Sequence, residues 1–183
     1  MPRETRSDEV LMDEVRAGSP TAFEALYDRH HRRVFTFLLR SLGERRKAED
    51  LLQETFLRVF AHREGWRPSA AFRTWLFTIA RNLVVDEFRR RSGARVLEGG
   101  ELAETLADPS ATPLERAEAG ELSERFQAAM LELPPSHREV VLLCRFGGLS
   151  AEEVAEIIGA SPGAVRVTLH RALRRLRDLL GEL

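Results

Sequence analysis

An all-α protein of two small helical domains, joined by an acidic flexible linker, is predicted by three observations. Apolar residues recur at three- and four-residue spacing in one segment after another. Cap residues stand where those segments begin and glycines where they end. No period-two alternation runs long enough for a convincing strand.

Ser7 caps a first helix carrying Val10, Leu11 and Val15, and Ala17-Gly18 ends it. Ser19-Pro20 starts a second, with Phe23, Leu26, Tyr27, Val34 and Leu38 on one broad face, stopping near Gly43. A third runs from about Arg46 to His62 and a fourth from about Ala71 to Arg91. On the fourth, Phe72, Trp75, Leu76, Ile79 and Leu83 form the expected core stripe, which assigns Trp75 to packing. Prolines at 109 and 113, with small residues between them, mark an exposed segment. Helical pattern resumes near Leu114 and breaks at Pro134-Pro135. The expected division is 5–92, an acidic linker 93–113, and 114–183.

In the second domain Ser136/Glu139 and Ser150/Glu153 both have capping-box spacing. Gly147-Gly148 ends the helix bearing Val140, Val141, Leu143 and Cys144. Val154, Ile157 and Ile158 give the next helix its apolar stripe, and Gly159 stops it. Ser161 then caps the last helix, with Pro162 in its first turn. A Gly-Ala-Ser turn between two capped helices is helix-turn-helix spacing.

The formal charge of −1 conceals strong segregation. Arg58 to Arg95 holds nine arginines against Glu64, Asp86 and Glu87, a net of +6. Leu97 to Glu124 is net −7, and Ser161 to Arg177 holds five arginines and no acid. Two basic surfaces are therefore masked by the strap between them. A compact free state covering both is the arrangement this charge pattern suggests.

On the last helix Val165, Leu169, Leu173, Leu176 and Leu180 form the inward stripe. Arg166, Val167, His170 and Arg171 occupy the end that would face base edges. Arg174, Arg175 and Arg177 are placed to reach phosphates. A solvated amphipathic helix is the competing reading of the same charges.

"AEDLLQETFLRVF" directs Ala48, Leu51, Leu52, Thr55, Phe56 and Val59 inward. Asp50, Gln53, Glu54 and Leu57 make a second stripe, a leucine framed by polar groups. Both a partner-binding patch and a solvated face with a stray leucine fit it. Trp66, between Arg63 and Arg67 in sequence, joins aromatic to basic side chains, the combination that suits unpaired nucleic acid.

Other chemistries are not expected. Cys144 is the only cysteine, which removes intramolecular disulfides and cysteine metal sites. Adjacent His30 and His31 point about 100° apart on a helix and cannot share a simple metal site. His137 and His170 have no acids close in sequence that would make a catalytic set. Neither an enzyme nor a cofactor is therefore anticipated. The N-terminus lacks an apolar signal region and no run approaches ~20 apolar residues, so a cytoplasmic protein without membrane insertion is expected.

"AEDLLQETFLRVF", "FRTWLFTIARN" and "LPPSHREVVLLCRFGGLSAEEVAEIIGASPGAVRVTLHRALRRLR", in that order, resemble the extracytoplasmic-function (ECF) sigma factors of bacterial RNA polymerase. The resemblance implies sigma region 2 for the first domain and sigma region 4 for the second. It implies a transcription initiation factor whose partners are core RNA polymerase, promoter DNA and an anti-sigma factor. Asp50, Gln53, Glu54 and Leu57 would dock on the β′ clamp helices, with further contacts to the β subunit. Trp66, Arg73, Phe77, Arg81, Asn82, Arg89 and Arg90 would serve the −10 element, Asn82 aligning with the family's base pocket. Arg166, Val167, His170, Arg171, Arg174 and Arg175 would serve the −35 element. Val167-Thr168 departs from the usual small polar or basic pattern, so no −35 sequence is carried over. An autonomous helix-turn-helix repressor with an N-terminal dimerisation or ligand domain is the alternative.

Overall fold

Four helices build the first unit, and the order in which they cap, stop and cover one another follows from a few residues. The computed structural model describes residues 6–67, 71–93 and 125–181, so most of the expected strap and the stretch 114–124 lie outside the described residues. Among the described residues every regular element is helical.

Helix α1 (Asp8–Arg16) starts at Ser7, whose hydroxyl accepts the Val10 amide at 3.3 Å. It buries Leu11, Met12 and Val15. Of the apolar residues the sequence places on it, Val10 is 46% exposed, and Met12 joins Leu11 and Val15 on the inner face. Helix α2 (Pro20–Leu42) begins with Ser19 accepting from Ala22 and ends at Gly43, whose φ of 70° permits the left-handed turn. Its buried row of Ala22, Leu26, His30 and Val34 repeats every four residues. It then widens to Phe37, Leu38, Leu39 and Leu42, where the second unit packs on its far side.

Helix α3 (Arg45–Ala61) buries Ala48, Leu51, Leu52, Thr55, Phe56 and Val59, the set its periodicity predicts. A short 3₁₀ turn, Arg63–Gly65, then leads to Trp66. Helix α4 (Phe72–Gly93) buries Phe72, Leu76, Phe77, Ala80, Leu83 and Val84. Trp75 and Ile79, expected in the core, are only half-buried. The stripe is rotated because α4 is covered twice, by the first unit on one side and the second on another.

In the second unit, α5 is described over 125–131. The Arg138 guanidinium closes its end by donating to the carbonyls of Met130, Leu131 and Leu133 at 2.8, 2.8 and 3.2 Å. Helix α6 (Pro135–Val141) runs into a π-helical turn, Leu142–Phe146. The Ser136/Glu139 capping box does not form. Pro135 occupies the first helical position, which moves the cap to Pro134 and frees Glu139 for another partner.

Helix α7 (Ala151–Ile158) does have its capping box: the Glu153 amide donates to Ser150 Oγ at 3.1 Å and the Ser150 amide to Glu153 Oε2 at 2.7 Å. Gly159, at φ 69°, ends it, and Ser161 accepts from Ala164 at 3.1 Å to open α8 (Pro162–Gly181). Val165, Ala172 and Leu176 are the buried seam of α8, with Leu169, Leu173 and Leu180 half-buried beside it.

Candidate nucleic-acid interface

The outer face of α3 leaves the protein unpartnered by apolar neighbours. Leu57 is 64% exposed there, with Asp50 and Gln53 exposed above it. Glu54 is half-buried and accepts from Arg58 Nε at 2.8 Å. Phe60, 47% exposed, extends the apolar strip and lies 4.3 Å beneath the Arg63 guanidinium. A large exposed leucine and phenylalanine one turn apart, rimmed by acids, form a directional patch rather than a scattered surface residue.

Where α3 ends and α4 passes, Arg58, His62, Gly65, Trp75, Thr78, Ile79 and Asn82 line an open cavity of about 420 Å³. Asn82, the expected base-pocket residue, is exposed at its wall. The half-buried faces of Trp75 and Ile79 supply its apolar side, so the rotation of the α4 stripe creates it. Trp66 is elsewhere. It is 2% exposed and belongs to the core, so its ring offers no stacking surface in this arrangement.

The opposite face of α4 carries Arg73, Phe77 and Arg81, and the second unit covers it. Arg73 Nη2 donates to the Gly148 carbonyl at 2.6 Å and to Glu153 Oε2 at 3.0 Å. Glu153 thereby serves its own helix cap and the neighbouring unit together. Arg81 Nε donates to Glu139 Oε1 at 2.7 Å. Phe77 is 1% exposed, edge-on to Phe37 at 5.6 Å. A β-carbon on Gly147 would stand 2.5 Å from the Leu143 carbonyl oxygen and 3.0 Å from the Phe77 ring, so glycine there allows the close approach. Arg40 lies over the Phe126 and Phe146 rings at 5.9 and 5.7 Å.

The −10 residues expected together are thus split between an open cavity and a covered face. Glu139→Arg is expected to separate the two units by opposing Arg81, raising the radius of gyration in small-angle scattering several Å above the ~16 Å of a closed chain this long. Adding Arg81→Glu is expected to restore the closed value, and an unchanged radius in the single variant would count against the pairing as a latch.

At the end of α4, Arg90 donates to Glu87 at 3.0 Å and Arg91 to Glu87 and Glu44 at 3.1 and 3.0 Å. Burial would raise the Glu87 carboxyl, but the Arg91 hydrogen bond and the charges of Lys47, Arg90 and Arg91 outweigh it and hold it below its ordinary value. Arg89 is 79% exposed and 3.8 Å from Asp86.

The α8 face is different. Arg166, Val167, His170, Arg171, Arg174, Arg175 and Arg177 are all exposed. Arg166 is held by Glu152 of α7 across the turn. The compact arrangement therefore covers one expected basic face and leaves the other open, because α8 packs on α6 and α7 while the contacts with the first unit come mainly from α7 and the π turn.

Comparison with known proteins adds the decisive observation. Residues 26–94 match sigma-70 region 2 and residues 123–176 match sigma-70 region 4. The RNA polymerase sigma factor CarQ of Myxococcus xanthus is 39% identical over 94% of this chain and 97% of its own length. The chain belongs to the ECF sigma factors. ECF sigma factor SigL of Mycobacterium tuberculosis (strain Erdman) is 35% identical over 91% of this chain and 93% of that protein. The structure of Bartonella quintana RpoE in complex with the anti-sigma factor NepR is similar at TM-score 0.71 and 25% identity, covering 87% of this chain and 96% of that one.

In this sigma factor the region 2 match takes in most of α2 and all of α3 and α4, and the region 4 match runs from α5 into α8. No helix among the described residues is long and apolar enough to cross a membrane. Sequence reasoning missed the His62–Trp75–Ile79 side of the cavity and the acids Glu139 and Glu153 that neutralise Arg81 and Arg73. The capping-box spacing of Ser136/Glu139 assigned Glu139 to its own helix start and so hid it as a partner for Arg81.

Proposed function

We propose that this sigma factor binds core RNA polymerase through Asp50, Gln53, Glu54 and Leu57, and places region 2 and region 4 on two promoter elements. The exposure of Leu57 in an acidic frame carries this reading, since a self-sufficient DNA-binding protein has no use for it. The autonomous repressor has no support: the relatives are RNA polymerase sigma factors, initiation factors without a catalytic site of their own.

Region 4 offers Arg166, Val167, His170 and Arg171 to the base edges of the −35 element, with Arg174 and Arg175 at phosphates. In region 2 the cavity beside Asn82 takes a base turned out of the −10 strand. Unstacking a base costs a few kcal/mol, which a fitted pocket and the polymerase contacts offset. Arg73, Phe77 and Arg81 become available to the −10 element once region 4 moves off them, while Arg89 and Arg90 reach the adjacent duplex. Tethering both regions to one polymerase raises their effective concentration, so neither needs high affinity alone. The likeness to RpoE bound by NepR supports regulation by an anti-sigma factor, and a cytoplasmic location follows from the polymerase partnership.

The test is promoter binding with and without core polymerase. Affinity is expected to rise at least about 100-fold in the holoenzyme. Arg171→Ala is expected to weaken holoenzyme binding and to lower the log–log salt slope by about one if Arg171 also neutralises a phosphate, or to relax one base preference at unchanged slope if it reads guanine. Equal affinity with and without polymerase would overturn the reading.

A further inference from the structure

A second cavity, of about 380 Å³, lies on the seam between the two units and shares no lining residue with the one beside Asn82. Region 2 gives it Phe37, Val84, Val85 and Phe88, and region 4 gives it Arg138 and Leu142. Phe88 is 45% exposed and so stands at the rim. Its size falls within the ~300–1,000 Å³ of small-molecule sites, which favour such junctions and combine apolar walls with a few polar groups.

The charges on its wall do not balance. Arg81 and Glu139 cancel one another across the seam at 2.7 Å. Arg138 has no such counterpart. Its Nε and Nη2 donate to the carbonyls of Met130, Leu131 and Leu133, which fixes the side chain without neutralising it. Among the described residues no carboxylate pairs with it, and its Nη1 has no hydrogen-bond partner. Burial pulls the guanidinium below its ordinary value, with no acid to offset the loss. A half-buried positive charge beside an apolar wall is matched by a molecule with an apolar body and one negative group.

We propose that the seam cavity binds a small amphipathic carboxylate, its acid group on Arg138 and its apolar body against Val85, Phe88 and Leu142. A carboxylate gives the guanidinium charge-assisted hydrogen bonds, about twice as strong as neutral ones. The walls come from both units, so the site is complete only while they are closed on each other. A ligand that binds one of two states shifts the population toward it. The occupant therefore keeps region 4 over Arg73 and Arg81 and opposes promoter engagement. That consequence, unlike the site itself, rests on the function proposed above.

The first arm of the test is titration calorimetry of the full chain with octanoate. Octanol and octylammonium serve as neutral and cationic probes of equal length. One octanoate per chain is expected, bound at least about tenfold tighter than either control. Val85→Trp fills the cavity and Phe88→Asp sets a second acid at its rim. Each is expected to weaken octanoate about tenfold or more, with circular dichroism unchanged. Phe88→Asp keeps the test valid if the larger side chain disturbs folding, because Phe88 is an exposed residue.

The second arm assembles the chain with core polymerase on promoter DNA. Octanoate at ten times its own Kd is expected to raise the chain concentration for half-maximal assembly about tenfold. Phe88→Asp should assemble equally well with and without it. Equal affinity for the three probes, or octanoate binding retained by both variants, overturns the site. Octanoate that binds at the site yet leaves assembly unchanged overturns the coupling. A chain that brings no polymerase to promoter DNA even without octanoate counts against the function proposed above, and calorimetry then decides the site alone.

Discussion

Leu57→Asp is expected to weaken binding to core RNA polymerase at least about 30-fold, a loss of about 2 kcal/mol typical of a central interface anchor. The side chain is 64% exposed in the free protein, so its replacement removes no internal packing. The aspartate adds a third acid to a face already holding Asp50 and Glu54, and it would have to be desolvated against the partner. The measurement is a titration of fluorescently labelled chain with core polymerase, accompanied by circular dichroism and a melting curve. Those two should be indistinguishable between parent and variant. Undiminished affinity would move the docking surface off α3, and Phe60, one turn along, would not rescue the assignment.

Asp8→Asn is expected to cost about 3 kcal/mol of stability, the loss that follows when one partner of a largely buried ion pair is removed. Asp8 joins α1 to α2 twice, accepting from Arg29 Nη1 at 2.5 Å and pairing with His30 Nε2 at 2.8 Å. His30 is 2% exposed and packs on Phe72, so the asparagine takes the carboxylate away from a buried imidazole and from the Arg29 guanidinium. For a domain pair of this size the melting temperature should fall roughly 6–12 °C.

The effect carries a pH signature. Burial would raise the Asp8 carboxyl, yet the hydrogen bonds and charges of His30 and Arg29 together hold it below its ordinary 3.8. A carboxyl with a depressed folded pKa stabilises the fold above its unfolded value and loses that contribution as pH falls through the folded one. The gap between parent and variant should therefore be full above about pH 4 and close under stronger acid. A gap that stays constant down to about pH 2 would show that shape, not charge, accounts for the loss.

What could be read in advance depended on how many neighbours each helix has. Helix α3 packs inward on one side only, and its apolar period named every buried position and left Leu57 outside. Helix α8 likewise showed its arginine face, because nothing among the described residues covers it. Helix α4 has partners on two sides, so periodicity assigned Trp75 and Ile79 to the core and placed Phe77 on a DNA face that the second unit covers. Trp66 misled for a related reason: its arginine neighbours turn to local carbonyls, Arg63 to Phe60 and Arg67 to Glu64, while the indole goes inward. Pairings such as Arg73–Glu153, eighty positions apart, leave no periodic trace.

The bridges from Arg73 and Arg81 to region 4 also set a question of reach. A closed chain of this length is roughly 40 Å across. The centres of −10 and −35 elements are separated by about 25 base pairs, which at 3.4 Å each is about 85 Å of duplex. One closed molecule cannot touch both ends of that span, so the shape that shields Arg73 and Arg81 is also too short for a promoter. In the function proposed above, unlatching would do two things in a single motion: bare the arginines and lengthen the measuring stick.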